Sequence, residues 1–174
     1  ENAPGNEVIV LPNNKNIVLT AEQAKSLSQK SVEVVPTITI PQGIAALLAF
    51  NYQSDLPTNA GVMAEVAENI QTAEITTAVR SVQINGMGVQ EGEIIGVVNG
   101  ALKVKGKTPS EAVMAALGQM DTEQYEIITL YYGESTTADE AEQIAAEITE
   151  RYPSQGIEVV DGGQLHYYYI ISVE

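Results

Sequence analysis

A chain of 174 residues with 44% hydrophobic content can bury one full core or two small lobes, and this composition excludes disorder over most of its length. Eight basic residues against 23 acidic ones leave a formal charge of −15, which argues against nucleic acid and anionic membrane surfaces as partners. The absence of cysteine excludes disulfides, thiolate zinc sites and thiol catalysis. The longest apolar run, Ile44 to Phe50, is far too short to cross a bilayer. No signal peptide is visible and the chain begins without Met, so the expectation is a piece of a larger cytoplasmic protein.

In chain order, Glu7–Leu11 reads as a strand that runs into Pro12-Asn13-Asn14-Lys15-Asn16. The next helix starts at Asn16 or at Thr20; the spacing of Ile17, Ala21 and Ala24 favours the earlier start. Val32–Val35 is a second strand, and Pro36 and Pro41 hold the residues after it to extended or turn backbone. A short apolar helix is predicted over Gln42–Phe50, a loop over Asn51–Asn59, and a helix over Gly61–Gln71 that buries Val62, Val66 and Ile70. Ile75–Ile84 then reads as one strand, with Asn85-Gly86 turning it back onto Glu93–Val98. Asn99-Gly100 makes another turn before Ala101–Lys105, and Thr108-Pro109-Ser110-Glu111 opens a helix. Glu126–Tyr132 is an apolar, central strand. Thr137-Ala138-Asp139-Glu140 caps a helix whose apolar face is Ala141, Ile144, Ala145, Ile148 and Tyr152. Gly156–Val160 and Leu165–Val173 close the chain as strands.

Several chemical leads weaken on inspection. Ala101 to Thr108 satisfies a loose phosphate-loop pattern, but its middle alternates like a strand and Pro109 removes an amide where the anion would sit. Gly86-Met87-Gly88 with Gly92 has hairpin rather than dinucleotide spacing. His166, the only histidine, lies in the last predicted strand beside three tyrosines, where a packed or hydrogen-bonded role outweighs a Ser-His-Asp set. The carboxylate pairs Asp139-Glu140, Glu91 with Glu93 and Glu147 with Glu150 read as solvated faces. No catalytic set and no metal site is predicted.

Two features point to recognition instead. Asn13, Asn14 and Asn16 after the first strand, and Thr37, Thr39 and Gln42 after the second, would form one polar rim if the strands are parallel neighbours. Open α/β sheets bind their ligands at such strand ends. Lys103, Lys105 and Lys107 project from one strand of an acidic chain; they suit edge protection or a docking patch for an acidic partner.

The stretches LPNNKNI, VVPT with IPQGIAALLAFN, YYGE, ERYP and DGGQ with YYYIISVE resemble the C-terminal domain of the catalytic subunit of bacterial fatty acid kinase, in the dihydroxyacetone-kinase-like family. The resemblance implies a two-lobed, DegV-like α/β fold: a βαβ parallel-sheet lobe over 1–72 carrying the rim, and an α+β lobe with a mixed sheet over 73–174. It implies ATP and magnesium in the parent's N-terminal domain and no cofactor in this piece. The implied partners are the parent's other domains and a fatty-acid-binding DegV family protein that presents the acyl carboxylate for phosphorylation, feeding phospholipid synthesis. Thr37-Ile38-Thr39-Ile40-Pro41 stands where the DegV family has Thr-Ser-x-Pro, and that family's His-Thr-Gly-Pro-Gly motif has no counterpart here. The expected function is non-catalytic docking of the fatty-acid-binding partner, with a small lobe for a fatty acid or anion as the alternative. His166 would be included in the rim of that lobe.

Overall fold

The computed structural model describes residues 2–84 and 86–174. The chain divides into two compact units, Glu1–Ile70 and Gln71–Glu174.

In the first unit, β1 (Glu7–Val10) and β2 (Ser31–Val34) pair in parallel, with Val8 opposite Val32 and Val10 opposite Val34. Helix α1 (Lys15–Leu27) connects them. Its early start is the favoured one, because Asn14 is extended and its side chain accepts from the Asn16 amide. Alternation along β1 turns Ile9 and Leu11 onto a core of Val35, Ala46, Met63 and Ala67.

Helix α2 (Ile40–Leu48) begins before the predicted Gln42, since Thr39 is the last extended residue and Pro41 fits the first turn. Helix α3 (Leu56–Asn69) corrects two expectations. Asp55 accepts from the Thr58 amide at 2.9 Å and Pro57 follows in the first turn, so the helix takes up part of the predicted loop Asn51–Asn59. Its buried face is Asn59, Met63 and Ala67, while Val62 stays 45% exposed. Buried Asn59 explains the rotation: its amide donates to Asn51 O and Ser54 O and accepts from Asn51 N, holding the preceding loop.

The second unit runs β3 (Gln71–Thr77), β4 (Val82–Ile84), β5 (Met87–Val89), β6 (Ile94–Val98), β7 (Ala101–Gly106), α4 (Pro109–Leu117), a 3-10 turn (Thr122–Gln124), β8 (Ile127–Tyr132), α5 (Ala138–Arg151), β9 (Gly156–Asp161) and β10 (Tyr167–Val173). Six strands form one mixed sheet in the order β7-β6-β3-β10-β8-β9, with β8 and β9 parallel and the other neighbours antiparallel. Strand β8 is interior, as its apolar sequence suggested. The predicted single strand Ile75–Ile84 breaks after Thr77. There Ala78 exchanges hydrogen bonds with Glu93 and Gly92, closing the β3–β6 pairing and sending the intervening residues out as the separate β4–β5 hairpin. Gly86 in that turn has φ 81°, and Asn85 lies outside the described residues. Asn99 and Gly100, at φ 50° and 72°, join β6 to β7 as expected.

Alternate residues of the sheet, among them Ala73, Ile75, Ile128, Leu130 and Ile171, pack with Val113 and Leu117 of α4 and Ile144 and Ile148 of α5. The opposite face is mixed, with polar Thr72, Glu74, Thr129 and Ser172 beside apolar Val97, Tyr131 and Ile170. Both helices carry the caps that the sequence announced. Thr108 accepts from Glu111 N, and Thr137 and Glu140 form a reciprocal capping box.

Candidate functional site

The two strand-to-helix turns of the first unit meet. Asn13 adopts φ 51°, a left-handed geometry that asparagine tolerates better than most residues. Its amide donates to Thr37 Oγ1 at 3.1 Å, and that hydroxyl donates back to Asn13 Oδ1 at 2.8 Å. Thr37 is fully buried, so this reciprocal pair locks the β1–α1 turn to the β2–α2 turn. The Asn13 carboxamide lies directly over Gly43 of α2, where a Cβ would meet its oxygen at 2.1 Å. Gln42 turns back so that Oε1 accepts from Ile38 N at 2.8 Å.

The Asn13 and Thr37 side chains are thus committed to each other and to the Asn13 amide, Gln42 to the Ile38 amide, and Asn14 to the α1 cap. Asn16 is exposed and contributes its backbone amide. Thr39 is different. It precedes α2 without capping it, and its buried hydroxyl makes no hydrogen bond among the described residues.

The remaining predicted residues lie in the second unit. His166 sits in the turn before β10, not in the strand; it is exposed rather than packed, because β10 begins only at Tyr167. Its carbonyl accepts from Thr76 Oγ1 at 2.6 Å. Asp161 accepts from Gly163 N and stands beside the Tyr132 hydroxyl, whose pKa is raised by burial and then by that carboxylate. Tyr169 enters the core fully, and a register shift between Tyr167 and Tyr169 lets Tyr168 pack against the same core.

Lys103, Lys105 and Lys107 are exposed on or just after β7, an edge strand of the sheet. Lys105 Nζ lies 2.7 Å from the Glu93 carboxylate and 2.7 Å from Gly88 O, so it staples the β4–β5 hairpin. That hydrogen bond is the main reason the Glu93 carboxyl titrates below its usual range. The phosphate-loop lookalike is strand followed by helix cap, and the Lys107 amide donates to Glu111.

Sequence reasoning missed two features. Glu74 is half-buried on the mixed sheet face, paired with Ile170 and Val97, and burial pushes its carboxyl up. More telling is α2, which turns Gly43, Ala45 and Ala46 inward and Ile40, Ile44, Leu47 and Leu48 outward. The residue sizes in IPQGIAALL carry that signal: small residues fall on one side and large apolar ones on the other.

Comparison with known proteins matches residues 1–174 to the FakA-like C-terminal family of fatty acid kinases. Protein YloV of Bacillus subtilis is 36% identical over 167 residues, covering 96% of this chain and 30% of that protein. An uncharacterized protein of Staphylococcus epidermidis is 36% identical over 166 residues, covering 95% of this chain and 30% of that protein. The chain therefore spans less than a third of the length of these relatives. Among solved structures, the Streptococcus pneumoniae fatty acid kinase B3 protein loaded with linoleic acid superposes with a TM-score of 0.64 at 10% identity, over 98% of this chain and 72% of that one. A DegV family protein of Corynebacterium glutamicum gives 0.63 at 16% identity, over 97% and 74%. At such identities the likeness is one of fold, here the DegV fold. Matched along its whole length and by relatives of more than a third identity, the chain belongs to the FakA-like C-terminal family.

Proposed function

We propose that this chain is a docking module. It engages a fatty-acid-binding protein of the DegV family so that the bound fatty acid is phosphorylated to an acyl phosphate by other parts of the parent kinase. The carrying observation is the state of the polar rim: Asn13, Thr37 and Gln42 spend their side chains on neighbouring backbone and on each other, while α2 leaves large apolar residues outward. Groups so engaged fix a surface's shape rather than attack or protonate a substrate.

Family membership and the small share of its relatives' length that the chain covers support placing ATP and magnesium in the remainder of the parent, with the acyl phosphate destined for phospholipid synthesis in the cytoplasm. No described helix is long and apolar enough to cross a membrane. Docking would raise the effective concentration of the acyl carboxylate at the kinase centre without any bond-making here. Lys103 on the edge strand β7 and Lys107 just after it offer a second contact for acidic groups of the parent's other domains. Calorimetric titration of the chain with the DegV family protein from the same genome tests the reading: a saturable complex supports it, and no complex at high micromolar concentration refutes it.

A second reading is favoured by Thr39, whose buried hydroxyl beside the α2 N-terminus has no hydrogen-bond partner among the described residues. In it this lobe holds a fatty acid or another small anion itself. A ligand that binds the native state raises its melting temperature. A concentration-dependent rise with linoleic acid would favour this reading, and an unchanged melt would dismiss it.

A further inference from the structure

The face of the first unit built on α2 has an unusual division of residues. Gly43, Ala45 and Ala46 face inward, whereas Ile40, Ile44, Leu47 and Leu48 remain 46%, 40%, 62% and 83% exposed. Those four positions fall within one stripe of the helix. A helix apolar on all sides is normally buried on all sides, and a contiguous apolar stripe marks an interaction site.

Leu47 also lines a half-open groove of about 430 Å³ beside β1, whose apolar walls include Ile9, Leu11, Phe50, Leu56 and Met63. Phe50 and Tyr52 stack edge to face at 5.0 Å along it. Stripe and groove therefore join through one side chain, Leu47, which both are built on.

Charge identifies what can cover it. No Lys, Arg or His occurs between Lys30 and Arg80, and none lines the groove. Its one charged wall residue is Glu7, and Asp55 stands between the wall residues Ser54 and Leu56. A second copy would bring a chain of the same −15 charge with the same carboxylates to the same rim. An anionic lipid surface meets the same repulsion.

Resting on the docking reading above, we infer that this α2 face is where the fatty-acid-binding partner seats. That partner presents an apolar side chain to the groove and Lys or Arg side chains to Glu7 and Asp55. Interfaces are built in this way, with an apolar anchor in a pocket and charges at the rim that steer encounter.

Surface-coupled binding kinetics of this chain with the DegV family protein from the same genome, measured at two salt concentrations, test the inference. The double substitution Leu47→Gln with Leu48→Gln should weaken binding by about tenfold or more through faster dissociation, with circular dichroism and melting unchanged. Glu7→Lys should slow association and flatten its salt dependence while leaving dissociation alone.

If the native chain binds and both variants bind like it, the α2 face is overturned and docking stands. If the native chain does not bind at all, docking falls and this face falls with it. Sedimentation that shows a dimer abolished by Leu47→Gln with Leu48→Gln, at undiminished partner affinity, would assign the face to a second copy and also overturn the inference.

Discussion

Replacing Gly43 by alanine sets two effects of opposite sign against each other. By intrinsic propensity, Gly→Ala inside a helix stabilises by about 1 kcal/mol. At Gly43, however, the added Cβ would stand 2.1 Å from Asn13 Oδ1 and 2.7 Å from its carboxamide carbon. The Asn13 side chain would have to leave, breaking the 2.8 Å bond from Thr37 Oγ1, whose residue is fully buried. Losing such a bond and stranding a buried donor costs about 1–3 kcal/mol. The expected net effect is a destabilisation of about 1 kcal/mol, taking the middle of that cost less the propensity gain.

Gly61 in α3 supplies the internal reference, since a Cβ there meets nothing within 4 Å. Gly61→Ala should stabilise by about 0.5–1 kcal/mol. Urea unfolding followed by far-ultraviolet circular dichroism, with thermal melts in parallel, reads both variants. For a chain of this length each kcal/mol moves the midpoint by about 2–4 °C. The two variants should shift in opposite directions. Equal stabilisation by both would show that the Asn13–Thr37 lock is not what fixes the two turns.

Two further substitutions test buried polar groups. Burial holds the Glu74 carboxyl above its ordinary value of 4.5, so Glu74 favours the fold below that value and loses this contribution as pH rises through its folded pKa. Glu74→Gln should therefore melt like the native chain near pH 4 and higher than it at pH 7–8; parallel profiles at all pH values would refute the assignment. Thr39→Val should be neutral or stabilising by about 1 kcal/mol, because it removes a buried hydroxyl that makes no bond among the described residues. A loss of about 1 kcal/mol or more, as for an ordinary N-cap threonine, would show that the hydroxyl has a partner in solution.

What the sequence made legible was mostly local chemistry. Thr108 and Thr137 announce their helices because a cap depends on residues three positions apart. Asn99-Gly100 announces its turn because few residue pairs accept two positive φ angles. The parallel neighbourhood of β1 and β2, and with it the meeting of Asn13 and Thr37, followed from the βαβ pattern.

What escaped depends on distant partners. The break after Thr77 is made by Gly92 and Glu93, which return to Ala78 across a hairpin that β-propensity alone could not separate from a continuous strand. The face of α3 turns on Asn59, a polar residue buried because it holds Asn51 and Ser54. His166 reads as strand by its neighbours, yet β10 starts one residue later. The outward face of α2 was legible only in residue size, since by hydrophobic pattern alone an apolar helix reads as core on both sides.

Hydrogen–deuterium exchange on this chain, alone and saturated with the DegV family protein from the same genome, tests the docking account most directly. The account predicts slowed exchange over α2 and the start of α3, about residues 40–63, with the α4 and α5 amides unchanged. Unaltered exchange across 40–63 in a saturated complex, or protection confined to the second unit, would contradict it.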